Sequence, residues 1–292
     1  MSRDRLSCWP PQSPRSIELD PPVVMGILNT TPDSFHAGSR VLDPEAALAH
    51  ALEMVDHGAR IIDIGGESTR PGADRIEADE QIRRTQPVIK ALRAVSDVLI
   101  SIDTTSQVVA AAALEVGADI INDVSGGEED PGLLHLAAES CAGLVLMHRT
   151  RPPDQDVYSH DHPAEPDFGS QGVVSAVRGS LESMLSRAME AGVSHGQIVL
   201  DPGFGFGKSV VQNFELLRSL DSLDPRNLPP TPLLVGLSRK SFIGAVLGDR
   251  PVDERLAGSV AAGLMAAQGG ASIIRTHDVL ETVDALAILH GP

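Results

Sequence analysis

Short apolar runs alternate with amphipathic stretches along most of the chain, beginning at Val23. This alternation is typical of βα units around a parallel sheet, although each run taken alone could also be a buried helix. The runs predicted as strands span residues 23–29, 61–65, 98–103, 119–123, 143–148, 198–201, 233–238 and 272–275. Eight such units predict an α/β fold, a single (β/α)8 TIM barrel, whereas an open doubly wound sheet gives no reason for the number eight.

The stretches between the runs carry apolar residues at spacings of three and four, which predicts helices. The clearest of them span residues 45–57, 78–94, 106–116, 172–191 and 254–267. Several end at a glycine, as helix C-termini commonly do: Gly58, Gly117, Gly192 and Gly269. Residues 1–22 are rich in proline and serine and lack an apolar stretch of signal-peptide or membrane-span length. We therefore expect a flexible leader at 1–22 and one barrel domain at 23–292.

Composition and charge narrow the possible functions. With 292 residues, 42% hydrophobic and 3% aromatic, the chain suits one barrel rich in aliphatic side chains. Its net charge of −17 argues against nucleic acid partners, which need a basic surface, and requires a local group of Arg and Lys for any anionic substrate. Cys8 and Cys141 form neither a disulfide framework nor a zinc motif. We expect a cytoplasmic protein without a membrane partner.

Nearly every apolar run ends in polar residues. In a barrel these strand ends converge on one face, where the active sites of this fold lie. The polar residues at or just beyond the ends are Asn29, Asp63, Glu67, Asp103, Asn122, Asp123, His148, Asp201, Arg239, Lys240, Arg275 and His277. Each of them alone could be a loop residue that caps the next helix, but eight such ends together favour a binding site.

Two segments suit a phosphate group. Residues 65–72 (GGESTRPG) combine glycines, which let backbone amides approach an anion, with an Arg that can grip phosphate oxygens in a bidentate fork; a plain turn is the alternative. Arg275 and His277 lie two apart on the last strand and face the same way. With Arg70 and Lys240 nearby, they are expected to supply positive charge, and we expect neither Lys240 nor Arg275 in the barrel interior.

Asp103, Asn122 and Asp201 suit the edge of a flat heterocycle, because carboxylates accept hydrogen bonds while an amide both donates and accepts. A helix cap at Asp103, a turn at Asp201 or a metal site without a nearby His remain as alternatives. The Gly-rich segment 201–208 matches neither the nucleotide P-loop nor the dinucleotide fingerprint. Its residues Phe204 and Phe206 either stack on a ring or lie buried under the loop.

Taken together, these segments resemble the dihydropteroate synthase family. The matching segments are residues 25–35 (MGILNTTPDSF), 63–72, 101–104 (SIDT), 121–127 (INDVSGG), 201–208 (DPGFGFGK), 238–241 (SRKS) and 275–277 (RTH). They occur in family order from about residue 23 to the end. Two places depart from the family pattern: His36-Ala37 replace a Ser-Asp pair in the first loop, and Arg149-Thr150-Arg151 replace Met-Gln-Gly before a long polar stretch to Gly172.

The resemblance implies an enzyme of folate synthesis that condenses 7,8-dihydropterin-6-ylmethyl diphosphate with 4-aminobenzoate and releases diphosphate. It implies catalytic roles for Asp103, Lys240, Arg275 and His277. The residues implied for the pterin are Asp103, Asn122, Met147, Asp201, Phe206, Gly236 and Lys240. Those implied for the diphosphate are Thr69, Arg70, Arg275 and His277, and those for the aminobenzoate, with which sulfonamides compete, are Phe35, Pro71 and Ser241. Asn29 is implied to bind Mg²⁺ with the diphosphate, and the family suggests a homodimer through the late helices.

Two other functions stay open at this point. A methyltransferase that uses methyltetrahydrofolate shares the Asp and Asn strand ends but should lack the Ser-Thr-Arg-Pro and Arg-Thr-His segments. A non-catalytic pterin-binding paralogue is suggested by the altered first loop, although Asn29, Arg70, Lys240 and His277 are retained.

Overall fold

Eight parallel strands form a nearly closed barrel in the computed structural model, which describes residues 9–30, 43–223 and 230–291. They are β1 Val23–Asn29, β2 Ile61–Gly65, β3 Leu99–Asp103, β4 Ile120–Asp123, β5 Gly143–Met147, β6 Ile198–Asp201, β7 Leu234–Gly236 and β8 Ile273–Thr276. Their order is β6-β5-β4-β3-β2-β1-β8-β7, and a parallel bridge from Leu200 to Leu233 joins the two edges. The predicted TIM barrel is confirmed.

Helices follow the strands as the alternation predicts. In the described ranges they are α1 Pro44–Asp56, α2 Ala78–Val95, α3 Gln107–Glu115, α4 Gly132–Ser140, α5 Gly172–Glu190, α6 Val210–Arg218, α7 Ser241–Val246, α8 Leu256–Gln268 and α9 Val279–His290. The predicted helix at 254–267 begins later, because Val252–Glu254 forms a separate 3-10 turn. Within these residues, none of the helices combines the length and apolarity that crossing a membrane requires.

The lower end of the barrel is closed by apolar side chains. Each strand contributes one residue to a single buried cluster, which we call the lower layer: Met25, Ile61, Leu99, Ile120, Val145, Val199, Leu234 and Ile273. Trp9, Ile17 and Leu19 belong to the same cluster and cover it from below. The strands thus share one apolar core at this end, as barrels of this fold do.

The described part of the expected leader, residues 9–22, lies against this lower end, which corrects the expectation of a flexible segment up to residue 22. Trp9 is fully buried, its indole Nε1 donates to the Gln197 carbonyl at 2.9 Å, and its backbone pairs with Ile17. Proline and serine dominate the composition of this segment, but its few apolar residues pack against the lower layer. The barrel unit therefore includes Trp9.

Two residues further along every strand, the inward-facing positions become largely polar, since side chains alternate across a strand. We call this ring the upper layer: Ile27, Asp63, Ser101, Asn122, Met147, Asp201, Gly236 and Arg275. It lies at the C-terminal ends of the strands, where this fold carries its active sites.

Candidate active site

An ion-pair network crosses the upper layer. The Arg275 guanidinium on β8 donates to Asp63 Oδ2 on β2 at 2.6 Å and to Asp103 Oδ2 on β3 at 2.9 Å. The Asn122 amide on β4 also donates to Asp63 Oδ2, at 3.0 Å. Arg275 is therefore the counter-ion of two buried carboxylates within the barrel mouth. This corrects the expectation that Arg275 lies outside the barrel interior.

Several buried oxygens in this network have no hydrogen-bond partner within the described part of the chain. They are Asp63 Oδ1, Asp103 Oδ1 and the Ser101 hydroxyl. Buried polar atoms cost free energy unless they are hydrogen-bonded, so such acceptors suit a ligand with N–H groups along one edge. The sequence indicated Asp63 only as a polar strand end and did not indicate Ser101.

The opposite side of the mouth combines a carboxylate, an ammonium and an aromatic ring. Asp201 Oδ1 on β6 accepts from the Gly203 amide at 2.7 Å. Lys240 Nζ lies 4.1 Å from the centre of the Phe206 ring, and Phe206 packs with Val124 and Met147 in a small cluster separate from the main core. A flat apolar wall thus stands beside the hydrogen-bonding groups, which is the usual composition of a ligand site.

The two phenylalanines of segment 201–208 have different surroundings. Phe204 is buried in the main core beside Phe242, so the burial alternative holds for it. Phe206 faces the mouth. Gly236 on β7 lies near Arg275, since a Cβ added there would be 4.0 Å from Arg275 Cβ and Cδ.

Burial shifts the pKa values of the ionisable groups. It raises the pKa of Asp103 to about 7, against the attraction of Arg275, and that of Asp201 to about 6. It lowers the pKa of Lys240 to about 8, with repulsion from Arg275 adding to the effect. Burial and the charge of Arg275 also lower the pKa of His277 to about 3. The His277 imidazole is therefore neutral near pH 7, in contrast to the expectation of positive charge.

The segment predicted to hold a phosphate, residues 65–72, begins at the end of β2 and continues into the loop before α2; we call it the phosphate cradle. Thr69 and Pro71 are half-buried and Arg70 is exposed. The charge of Arg70 acts on His277, whose Nδ1 lies 3.0 Å from the Ser238 hydroxyl. The cradle is thus near enough to the end of β8 for the charge of Arg70 to help lower the pKa of His277.

The polar stretch after β5, whose shape the sequence did not indicate, lies over the mouth. The Pro153 carbonyl accepts from the Gly72 amide at 2.8 Å, Asp156 Oδ2 accepts from the Gly207 amide at 2.9 Å, and the Ser159 amide donates to the Ser241 hydroxyl at 3.2 Å. This stretch connects the loops after β2 and β6 with the start of α7. Ser241 therefore lies at the rim.

A buried lysine that the sequence did not single out stabilises the loop after β6. Lys208 is fully buried, and its Nζ donates to the carbonyls of Gly203 at 2.7 Å and Phe206 at 3.0 Å. These bonds fix the turn that presents Phe206. Burial lowers the pKa of Lys208 to about 7. In the sequence, the position of Lys208 at the end of the Gly-rich segment 201–208 could have indicated it.

Two predicted positions bear on magnesium and on the first loop. Asn29 is half-buried at the end of β1, in register with Gly65 at the start of the cradle. In the described ranges, no group of three or more His, Cys, Asp or Glu side chains could hold a metal ion. Phe35 lies outside the described residues, as do His36 and Ala37.

Comparison with known proteins agrees with this geometry. Residues 25–277 match the family described as pterin binding enzyme. The chain is 43% identical over 278 residues to the dihydropteroate synthase of Escherichia coli K12, covering 94% of this chain and 93% of that protein.

Two solved structures are similar over nearly the whole chain. A Xanthomonas albilineans dihydropteroate synthase with 4-aminobenzoic acid has a TM-score of 0.84 at 42% identity, covering 94% of both chains. A Burkholderia cenocepacia dihydropteroate synthase complexed with 7,8-dihydropteroate has a TM-score of 0.85 at 41% identity, covering 99% of this chain and 96% of that one. The chain belongs to the pterin-binding enzymes and, among them, to the dihydropteroate synthases.

Proposed function

We propose that this protein joins 7,8-dihydropterin-6-ylmethyl diphosphate to 4-aminobenzoate, giving 7,8-dihydropteroate and diphosphate. The observation that carries the proposal is a set of buried acceptor atoms without partners in the described residues, on Asp63 and Ser101 in the upper layer and on Asp103 at the end of β3, beside the Phe206 wall. A pterin has a flat ring with several N–H donors on one edge, which matches such acceptors. The relatives solved with 4-aminobenzoic acid and with 7,8-dihydropteroate support the same substrates.

In this proposal the pterin ring lies in the barrel mouth. Asp103 and Asp201 accept from its N–H groups, Asn122 both donates and accepts, and Lys240 donates to a ring acceptor. Met147 and Phe206 belong to the flat wall, and Gly236, without a side chain, leaves room for the ring. The mixture of charged groups also suits the chemistry, since carboxylates facing the ring stabilise positive charge that develops on it.

The bond that breaks joins the pterin methylene carbon to the diphosphate oxygen, and the oxygen leaves with the electron pair. Arg70 and Arg275 offset the charge of the leaving diphosphate, and the Thr69 hydroxyl donates to it. Neutral His277 contributes a hydrogen bond rather than a charge. If the Ser238 hydroxyl donates to Nδ1, the ring keeps its proton on Nε2, which then donates to a phosphate oxygen.

Asn29 fits magnesium only as part of a site shared with the substrate. Mg²⁺ usually takes one or two protein oxygens, with phosphate oxygens and water completing its shell. Asn29 supplies one amide oxygen opposite the start of the cradle. When bound, Mg²⁺ would neutralise charge on the diphosphate.

The amine of 4-aminobenzoate then forms the new C–N bond and loses a proton to water. An arylamine is already neutral near pH 7, so no strong general base is required. Pro71, Ser241 and Phe35 are proposed to border the aminobenzoate. Ser241 supports this role, because its hydroxyl lies where the stretch after β5 meets α7.

The proposal is tested by measuring diphosphate release from the pterin diphosphate with Mg²⁺, with and without 4-aminobenzoate. We expect release coupled to dihydropteroate formation, and we expect Lys240→Ala to lower kcat/KM strongly while the protein stays folded. Binding of the pterin diphosphate without turnover would instead identify a non-catalytic paralogue. Methyl transfer from methyltetrahydrofolate would identify the methyltransferase, which the retained Ser-Thr-Arg-Pro and Arg-Thr-His segments disfavour.

We also propose a cytoplasmic homodimer through the late helices. Apolar side chains remain exposed on this side, including Leu256 and Met265 on α8 and Leu280 on α9. Exposed apolar surface of this kind favours a protein interface. Light scattering of the purified protein tests the dimer, and Met265→Glu should shift it toward the monomer.

A further inference from the structure

Four loops at the C-terminal end of the barrel meet at one carboxylate, Glu129. Arg75 from the loop after β2 and Arg149 from the loop after β5 both form ion pairs with Glu129 Oε1. The Thr105 hydroxyl, after β3, donates to Glu129 Oε2 at 2.6 Å. Glu129 itself lies between β4 and α4. Loops that are far apart in sequence are thus joined by one side chain.

The contact with Arg75 bears on the cradle, because Arg75 follows Thr69, Arg70 and Pro71 in the same loop. Beyond its pair with Glu129, the Arg75 guanidinium lies 3.6 Å from Glu67 Oε2 and 3.7 Å from Asp154 Oδ1. The Gly72 amide donates to the Pro153 carbonyl at 2.8 Å. The cradle is therefore fastened just after Pro71, at Gly72 and again at Arg75.

The remaining contacts of this loop are also polar: the Ile76 amide donates to Glu67 Oε1 at 2.7 Å, and the Gln81 side chain donates to the Ile76 carbonyl at 2.8 Å. Residues 67–77 are half-buried or exposed, and none of them belongs to the buried apolar core. A loop with few apolar contacts opens at low free energy, so its polar contacts decide its position. Among these contacts, the ion pair of Arg75 with Glu129 also links the loop to the loops after β3 and β5, through Thr105 and Arg149.

We infer that Glu129 is a positioning residue for the diphosphate end of the substrate: through Arg75 it holds the cradle over the barrel mouth, with Arg149 and Thr105 fixing its own carboxylate. The inference rests on the proposed function, since it takes Thr69 and Arg70 as diphosphate ligands. Within the described ranges, the Glu129 side chain bonds to Arg75, Thr105 and Arg149 and to none of the residues proposed for the pterin. It acts through the loop that carries the ligands.

The ionisation state of Glu129 suits an ion pair that persists over the neutral pH range. Burial opposes its ionisation, but hydrogen bonds from Arg75 and Thr105 and the charge of Arg149 hold its pKa at about 2. The carboxylate is therefore ionised throughout the neutral range. The Arg149 side chain is only 6% exposed, so this arm of the network is shielded from salt better than a surface pair.

The test compares Glu129→Gln with Glu128→Gln in the full-length protein. Glu128 is the adjacent residue, is mostly exposed and has a distant pair with Arg187 at 3.7 Å, so its variant removes the same charge without touching the cradle loop. Three quantities are measured: the inhibition constant of inorganic diphosphate, the dissociation constant of a pterin without a diphosphate, and amide hydrogen exchange at Gly72 and Ile76.

For Glu129→Gln we expect diphosphate to inhibit about fivefold more weakly, because partly exposed ion pairs are worth roughly that factor. Exchange at Gly72 and Ile76 should become faster, while pterin affinity stays unchanged. Glu128→Gln should match the wild type in all three. Arg75→Gln should change diphosphate inhibition and amide exchange in the same direction, and the double variant should show less than the sum of the two effects, since both changes break the Arg75–Glu129 contact.

Other outcomes overturn the inference. If Glu129→Gln matches Glu128→Gln in amide exchange, Glu129 does not hold the loop. If pterin and diphosphate affinities fall together, Glu129 has a general structural role instead. Amide exchange needs no turnover, so a wild-type protein that makes no dihydropteroate would sink the proposed function while the exchange data still decide whether Glu129 fastens the loop.

Discussion

The lower and upper layers of the barrel lie two residues apart on the same eight strands, yet they have opposite properties. The lower layer is wholly aliphatic and is covered by Trp9, Ile17 and Leu19. The upper layer holds three carboxyl or amide side chains beside Arg275, and it keeps buried acceptors unpaired. One layer stabilises the fold, and the other retains groups that stabilise a ligand at the expense of the fold.

This difference shows how a barrel separates stability from function. Burial of apolar area is favourable without any partner, whereas a buried carboxylate is tolerated only when it is paired or hydrogen-bonded. Asp63 and Asp103 share one counter-ion, Arg275. Substitutions in the two layers should therefore separate effects on stability from effects on activity.

The largest effect is expected from Arg275→Ala. It removes a diphosphate ligand and leaves two buried carboxylates without their cation, which costs about 3–5 kcal/mol of unfolding free energy. We expect activity below detection together with a clear fall in stability near pH 7, measured by urea unfolding. The fold should therefore be affected as well as the chemistry.

Arg275→Lys is the matched variant. A lysine keeps the positive charge but cannot donate to Asp63 and Asp103 with one planar group. It should recover much of the stability while activity stays low. Full stability of Arg275→Ala would contradict the ion-pair network.

The sequence indicated the polar strand ends but not their pairing. Asp103, Asn122 and Asp201 were evident because each closes an apolar run. Asp63 lies between Ile62 and Ile64 and follows the same alternation, yet its bond to Arg275 spans 212 residues and arises only when β8 closes beside β1, which pairs with β2 on its other side. Barrel closure, rather than local pattern, decides which groups meet.

The stretch after β5 could not be predicted for a similar reason. Its contacts go to Gly72, Gly207 and Ser241, which belong to three other loops or helices. The N-terminal segment shows the converse limit. Its Pro and Ser content predicted a flexible segment, but packing of the single Trp9 ring fixes it against the barrel. The ring fits beneath Gly143, where Trp9 Cζ2 lies only 2.8 Å from the position that a Cβ would take.

Trp9→Ala tests the lower layer. Removing a fully buried aromatic ring from a packed floor should lower stability by about 3–5 kcal/mol. Because the site lies at the other end of the strands, kcat and KM of the folded protein should stay unchanged. Trp9→Phe keeps most of the ring and loses only the bond to the Gln197 carbonyl, so its effect should be smaller. A change in kcat for Trp9→Ala would show that the layers are coupled.

A pH series compares the wild type with Asp201→Asn. Burial raises the pKa of Asp201 from 3.8 to about 6, so the folded protein binds more protons than the unfolded chain between these values. The protonation of Asp201 therefore stabilises the folded protein below pH 4. This stabilisation, at most about 3 kcal/mol, is lost as the pH rises through 6.

Asp201→Asn retains an oxygen for the Gly203 amide and does not titrate. The variant should thus be the more stable protein at pH 8, while the difference narrows toward pH 4. If the unfolding free energies of the two proteins depend on pH in the same way, ionisation of Asp201 does not destabilise the folded protein.

The smallest effect is expected from Ser101→Ala, which makes one upper-layer position resemble the lower layer. The Ser101 hydroxyl is buried without a partner within the described part of the chain, so removing it should leave stability unchanged or raise it by about 1 kcal/mol. Ser125→Ala is the matched change, because the Ser125 hydroxyl donates to Asp123 at 2.7 Å and its loss should destabilise the protein. If the Ser101 hydroxyl is kept for the substrate, Ser101→Ala should weaken pterin binding measured by calorimetry, and equal affinity would place Ser101 with the packing residues instead.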